Sequence, residues 1–116
     1  MTGPARRLIR SRGRTYTVQN ATGGGGRSVP DYSDDGTLIG VLERRGRPQT
    51  ATDSDGTDVE TDLELRAVTD EATTLWPAGS NDGHPTLLKH PTGQTYRLLS
   101  THPEDSGVTV LIVVNE

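Results

Sequence analysis

From Asp58 to Val68 the chain alternates without a break. Val59, Thr61, Leu63, Leu65 and Ala67 fall on one face, and Glu60, Asp62, Glu64 and Arg66 on the other. Side chains of an extended strand point alternately to opposite sides, so this period of two describes an antiparallel strand with one dry and one wet face. Everything else the chain folds into must be compatible with that strand.

Weaker signals of the same kind lie on either side. Thr15 to Gln19 alternates, with Tyr16 and Val18 together on one face. Thr37 to Arg44 reads as a strand through Leu38, Ile39, Val41 and Leu42, with Gly40 a candidate bulge. Thr86 to Lys89 and Gln94 to Ser100 pair as a hairpin across Pro91-Thr92-Gly93. The run from Val108 to Val114 is almost wholly apolar, which predicts burial on both faces, at the domain centre or beneath a partner. With turns spaced regularly between them, about six strands make an all-β fold, a small antiparallel β-barrel or sandwich. At most one short helix is expected, a turn at Thr69 to Leu75 ended by Pro77. The whole chain, 1–116, reads as a single domain, with residues 1–9 a flexible arm and residues 20–36 and 45–58 long loops.

The core is expected to be lean. There are eleven Leu, three Ile, nine Val and no Phe among 116 residues, and a chain of this length buries roughly 65% of its unfolded surface. The absence of cysteine excludes a disulfide framework and thiolate metal sites. No apolar run is long enough to span a membrane, and no apolar stretch follows the N-terminal arginines as a secretory leader requires.

Charge is distributed unevenly. Residues 1–30 carry six Arg and no acid; residues 31–116 carry sixteen acids against six bases. Such asymmetry suggests a charged partner or a charge-matched neighbouring copy. Arg exceeds Lys eleven to one, Asp exceeds Glu, and Thr occurs seventeen times. This bias fits a halophilic, haloarchaeal or otherwise GC-rich origin.

Candidate chemistry is sparse. Gly23 to Gly26 with Arg27-Ser28 lacks the Lys and the following helix of a phosphate-binding loop, and reads as a flexible loop. Asp53, Asp55, Gly56 and Asp62 echo a calcium loop, but Ala51 stands at the first ligand position and a strand follows. His84, His90 and His102 are widely spaced for zinc. No nucleophile elbow occurs and no carboxylate sits in an apolar setting, so no enzymatic activity, catalytic residue, cofactor or metal is expected. The arginines are more informative. Arg10, Arg12 and Arg14 alternate, and in a strand would project together; Arg44, Arg45 and Arg47 cluster beside a loop. They suit nucleic-acid phosphates, or acidic surfaces including this chain's own residues 53–71. Tyr16, Tyr32, Tyr96 and Trp76 are too few for base stacking.

The order of features resembles a known family. Tyr32-Ser33-Asp34-Asp35-Gly36 follows the first strand. A strand, a long polar loop and the alternating strand come next, and then Thr86-Leu87-Leu88 leads to Gly93-Gln94-Thr95-Tyr96-Arg97-Leu98-Leu99 and a terminal apolar strand. Over roughly residues 10–116 this resembles the head–tail joining, or head-closure, proteins of tailed viruses. The Gly23 to Gly26 stretch is longer than the family pattern asks for.

The resemblance implies a structural protein of the virion neck, assembled in the host cytoplasm. It would be a small β-barrel forming a homo-oligomeric ring on the order of six or twelve copies. A portal or adaptor protein would lie above it and a tail protein below, with passive contact to packaged double-stranded DNA and no membrane. In the stopper type a long inter-strand loop closes the DNA channel. Arg44 to Asp58 is similar to that loop by position, with Gly46, Pro48, Asp53, Asp55, Gly56 and Asp58 as its gate residues. Arg10, Arg12, Arg14, Arg44, Arg45 and Arg47 would then meet DNA or neighbouring subunits. Two other classes remain open: a capsid decoration or tail-end β-barrel, and a small nucleic-acid-binding barrel.

Overall fold

A computed structural model describes residues 4–22, 31–53, 55–69, 74–78, 84–104 and 107–116. The chain runs α1 (Pro4–Arg12), β1 (Arg14–Thr22), β2 (Asp31–Thr52), β3 (Asp58–Val68), β4 (Leu87–Lys89), β5 (Thr95–Pro103) and β6 (Val108–Asn115). The strands close in the order β1-β2-β3-β6-β5-β4, and every neighbouring pair is antiparallel. Two three-stranded meanders therefore join edge to edge, β3 to β6 and β1 to β4. Closure consumes the strand edges that an open sheet this small leaves exposed.

The interior is filled by alternate residues of all six strands. Tyr16 and Val18 come from β1, Leu38 from β2, and Leu63, Leu65 and Ala67 from β3; Leu88, Tyr96, Leu98, Leu111 and Val113 come from the second meander. The alternation from Asp58 to Val68 coincides with β3, whose apolar face is the barrel's inner wall. The hairpin around Pro91-Thr92-Gly93 is present, with Gly93 at φ 100° where a side chain is disfavoured. The last strand is buried on both faces as its composition requires. Leu111 and Val113 point inward, and Val110 and Ile112 lie outside against Leu99.

A buried polar network fastens one part of the barrel. Thr86 donates its hydroxyl to Asn20 Oδ1 at 2.5 Å, and Asn20 Nδ2 donates to Asp35 and to the Thr74 carbonyl, each at 2.9 Å. The Trp76 backbone N–H donates to Thr86 Oγ1 at 2.7 Å. Each buried polar group so paired avoids the cost of an unmet hydrogen bond.

Several expectations are corrected. Residues from Pro4 onward are not a flexible arm: they form α1, the short helix of the fold. A nine-residue helix is marginal alone. It is held because Ile9, only 2% exposed, packs with Val68 and Val108 on the barrel's outer wall. The surrounding arginines hide that single anchor in the sequence. Of the expected helical turn at Thr69 to Leu75, residues 70–73 lie outside the described residues, and residues 74 and 75 are not helical. The loop expected at 20–36 is narrower, because β1 runs on to Thr22 and β2 starts at Asp31; residues 23–30, with Gly23 to Gly26, lie outside the described residues.

Gly40 is not a bulge. It pairs with Arg14 on one side and Ala67 on the other, and it leaves room for the buried Leu65, whose Cδ1 would stand 2.8 Å from a Cβ there and would have to shift. The irregularities fall instead at Thr17/Gln19, Arg44/Gln49 and Leu98/Ser100.

The largest correction concerns residues 45–58. They are strand, not loop, up to Thr52, and resume as β3 at Asp58. Arg44 pairs with Leu63 and Gln49 with Thr61, so residues 45–48 of β2 face Asp62 alone. This enlarged bulge bends the hairpin away from the barrel wall. At the same level β3 parts from β6, the last pair being Leu63 with Val113, and the Thr61 hydroxyl donates to the Val113 carbonyl at 2.6 Å. Beyond the bend, Ala51 and Val59 lie on the outer face made by Leu99, Val110, Ile112 and Val114. The pattern was illegible in β2 because residues 43–50 carry no apolar alternation; its partner β3 specifies it.

Two outcomes are expected. An alanine Cβ at Gly13 would stand 2.5 Å from the Ile9 carbonyl and 2.8 Å from that of Gly40, both backbone atoms. Gly13→Ala is expected to lower stability to urea by about 1–3 kcal/mol. Burial pushes the Tyr16 phenol up from 10.0 to about 12. The unfolded chain therefore releases this proton first, and stability is expected to fall as pH rises from 10 toward 12. Urea unfolding across that range checks it, and Tyr16→Phe is expected to flatten the slope.

Candidate functional site

The bent hairpin ends in a tight turn. Asp53 N–H donates to the Thr57 carbonyl at 2.8 Å, and Gly56 N–H to the Asp53 carbonyl at 3.0 Å. Asp55 Oδ1 accepts the Thr57 N–H at 2.9 Å, which holds the Asp55 carboxyl below its ordinary range. Gly56, at φ 85°, supplies the left-handed corner. Asp55, Gly56 and Asp58 are exposed at this apex, while Asp53 is turned toward the barrel.

Asp53 meets Arg97, which projects from the outer face of β5. The guanidinium grips the carboxylate with both arms: Nη2 to Oδ2 at 2.7 Å and Nε to Oδ1 at 3.2 Å. Its remaining arm, Nη1, donates to Glu116 Oε2 at 2.7 Å. Burial pulls the Arg97 pKa down, but the Glu116 and Asp53 carboxylates outweigh it and raise it above its ordinary value. Together with Ala51 and Val59, this bidentate pair latches the hairpin end to the barrel side.

The bend carries the second arginine cluster. Arg44 Nη1 lies 3.1 Å from Asp62 Oδ1, and Arg45 Nε lies 2.7 Å from Glu64 Oε1. Both arginines are more than half exposed, so these pairs hold weakly and leave the guanidiniums open to other anions. Gly46, Arg47 and Pro48 are exposed within the bulge. The gate residues thus divide between a bend, Gly46 and Pro48, and an apex, Asp53 to Asp58.

The first arginine cluster is not one strand face. Arg10 and Arg12 belong to the last turn of α1 and Arg14 opens β1. Arg12 and Arg14 nonetheless line one cleft of about 320 Å³ at the barrel mouth, with Tyr16, His90, Thr92 and Tyr96. Arg97, Glu116, His90 and Tyr96 are absent from the site residues that the sequence suggests. Only the pairing of β5 with β6 and the fold of the hairpin bring them into place.

The acidic run that echoes a calcium loop is dispersed: Asp53 serves Arg97, Asp55 its own turn, and Asp62 Arg44. His90 Nδ1 engages Thr92, and His102 Nε2 engages Ser100. Comparison with known proteins finds no matching family model, no matching curated protein and no matching solved structure.

Replacing Arg97 by Met keeps the stem and removes the fork. The variant is expected to lose about 1–2 kcal/mol of stability. Amide exchange is expected to quicken in residues 50–60, while β3 from Leu63 to Ala67 stays protected. Uniform exchange across both regions would contradict the latch.

Proposed function

We propose that this chain is a structural subunit of the head–tail connector of a tailed virus, assembling as a ring below the portal and closing the DNA exit channel. The observation that carries this reading is the β2–β3 hairpin. A small closed barrel has no internal need for a strand of 22 residues whose distal part leaves the barrel ladder, folds over the outer face and ends in an acidic turn. Released from the Arg97 latch, an arm of this length would reach past its own barrel toward the channel axis of a ring. The molecule measures 45 Å along its longest axis against 30 and 27 Å across.

The charge layout supports the same reading. Ring contacts are heterologous, so each subunit needs two different, complementary patches. The basic N-terminal segment, with Arg10 and Arg12 on α1, and the acidic hairpin apex supply opposite signs on different elements. At the apex, Asp55 and Asp58 would repel DNA phosphates and prevent adhesion, while Arg44, Arg45 and Arg47 at the bend lie where phosphates can be met. A portal or adaptor above and a tail protein below complete the reading.

The test uses heads assembled without tails. Deleting Pro48 to Thr57 is expected to leave rings on the portal and to let packaged DNA escape, scored by nuclease sensitivity. Full DNA retention by such heads would remove the gate role. Recovery of the intact protein on capsid faces, and not at the portal, would remove the connector role as well.

A further inference from the structure

The connector reading uses Arg12 only as part of a basic segment; the cleft that Arg12 and Arg14 line at the barrel mouth has a chemistry of its own. Two guanidinium groups line it, Arg12 from the end of α1 and Arg14 from the start of β1. Among the described residues neither has an ion-pair partner. The C-terminal carbonyls of α1 offset part of their charge, about half an elementary charge. Two guanidiniums thus stand at one spot without a contact ion pair among the described residues, Glu43 sharing only a second hollow with Arg12.

The rest of the lining is of the same character. Thr92 N–H donates to His90 Nδ1 at 3.1 Å, so the neutral imidazole carries its proton on Nε2 and is a donor there. Burial keeps the Tyr16 phenol protonated up to about pH 12, and Tyr96 and Thr92 add hydroxyls. Among the described residues no carboxylate lines the cleft. Cationic and neutral donors therefore converge on one space.

We propose that this cleft is an oxyanion site that takes a phosphate group, gripped by Arg12 and Arg14. The planar guanidinium fork matches phosphate oxygens in pairs. The cleft, at about 320 Å³, holds on the order of ten water volumes, which suits one phosphate with its ester substituent. The phosphate comes either from a free phosphate compound or from a nucleic-acid backbone. The site needs only the cleft, so phosphate binding by the unassembled chain is scored apart from any ring contact that uses the same Arg12.

Calorimetric titration of the full chain at low ionic strength tests it, first with inorganic phosphate and then with a DNA duplex of about twelve base pairs. Saturable binding of one phosphate per chain is expected. Arg12→Gln or Arg14→Gln is expected to weaken it at least tenfold, and Arg66→Gln, on the outer face of β3 beside Glu104, to leave it unchanged. Arg14→Lys keeps the charge without the fork and is expected to fall between. Matching circular dichroism and urea midpoints keep folding out of the comparison.

If the backbone is the source, the duplex displaces phosphate, and the slope of log K against log salt drops by about 0.9 for each arginine removed. If a free compound is the source, phosphate binds and the duplex does not displace it. Absence of saturation, or equal weakening in all three glutamine variants, overturns the proposal. So does a result in which Arg12→Gln and Arg14→Gln abolish self-association but leave phosphate binding intact, since the occupant is then a carboxylate of a second copy.

Discussion

Closure of the barrel through β4 is the constraint on which the rest depends. β4 has only three residues, and Leu88 pairs with Val18 on one side and Tyr96 on the other. Without this clasp the two meanders would form an open sheet with edges at β1 and β5. The lean supply of apolar residues could not then be enclosed on all sides. The Thr86–Asn20–Asp35 hydrogen bonds adjoin the clasp and order the chain entering it. A polar network thus secures what three ladder pairs alone would hold loosely.

Legibility in the sequence followed how far each element specifies itself. β3 was readable to its ends because its inner and outer residues differ at every step. β6 was readable as doubly buried, although its outer cover turned out to be the chain's own hairpin end, with Ala51 and Val59, together with Ala78. α1 was hidden because one residue, Ile9, carries its docking, and no acid marks its first turn. Residues 45–58 read as loop because they are rich in Gly, Pro, Thr and Asp, and Gly46 and Pro48 ordinarily break strands. Both sit in the bulge, where no ladder hydrogen bond is asked of them, and the strand resumes at Gln49.

The candidate sites were legible only in part, for a related reason. Arg10, Arg12 and Arg14 looked like one strand face because the helix-to-strand junction at Gly13 was not visible. The junction is tight: Gly13 N–H donates to the Ile9 carbonyl at 2.7 Å. It turns the chain so that Arg12 and Arg14 come to one cleft although they belong to different elements. Arg97 could not be singled out, since its partners Asp53 and Glu116 are 44 and 19 residues away. Long-range ion pairs leave no local period in a sequence.

The hairpin's attachment also sets how it responds to its surroundings. At about 1 M salt the Debye length shortens to about 3 Å. The field of the six N-terminal arginines would then fade within a few ångströms. A contact pair such as Arg97 with Asp53 at 2.7 Å, partly shielded from water, is weakened far less. The Arg44–Asp62 pair, whose arginine is 70% exposed, is screened more readily. Salt therefore loosens the bend before it loosens the latch. The Ala51 and Val59 contact, being apolar, is not screened at all. The hairpin end stays seated under conditions that free the arginines at its base, and these two parts of one β-hairpin can meet partners independently.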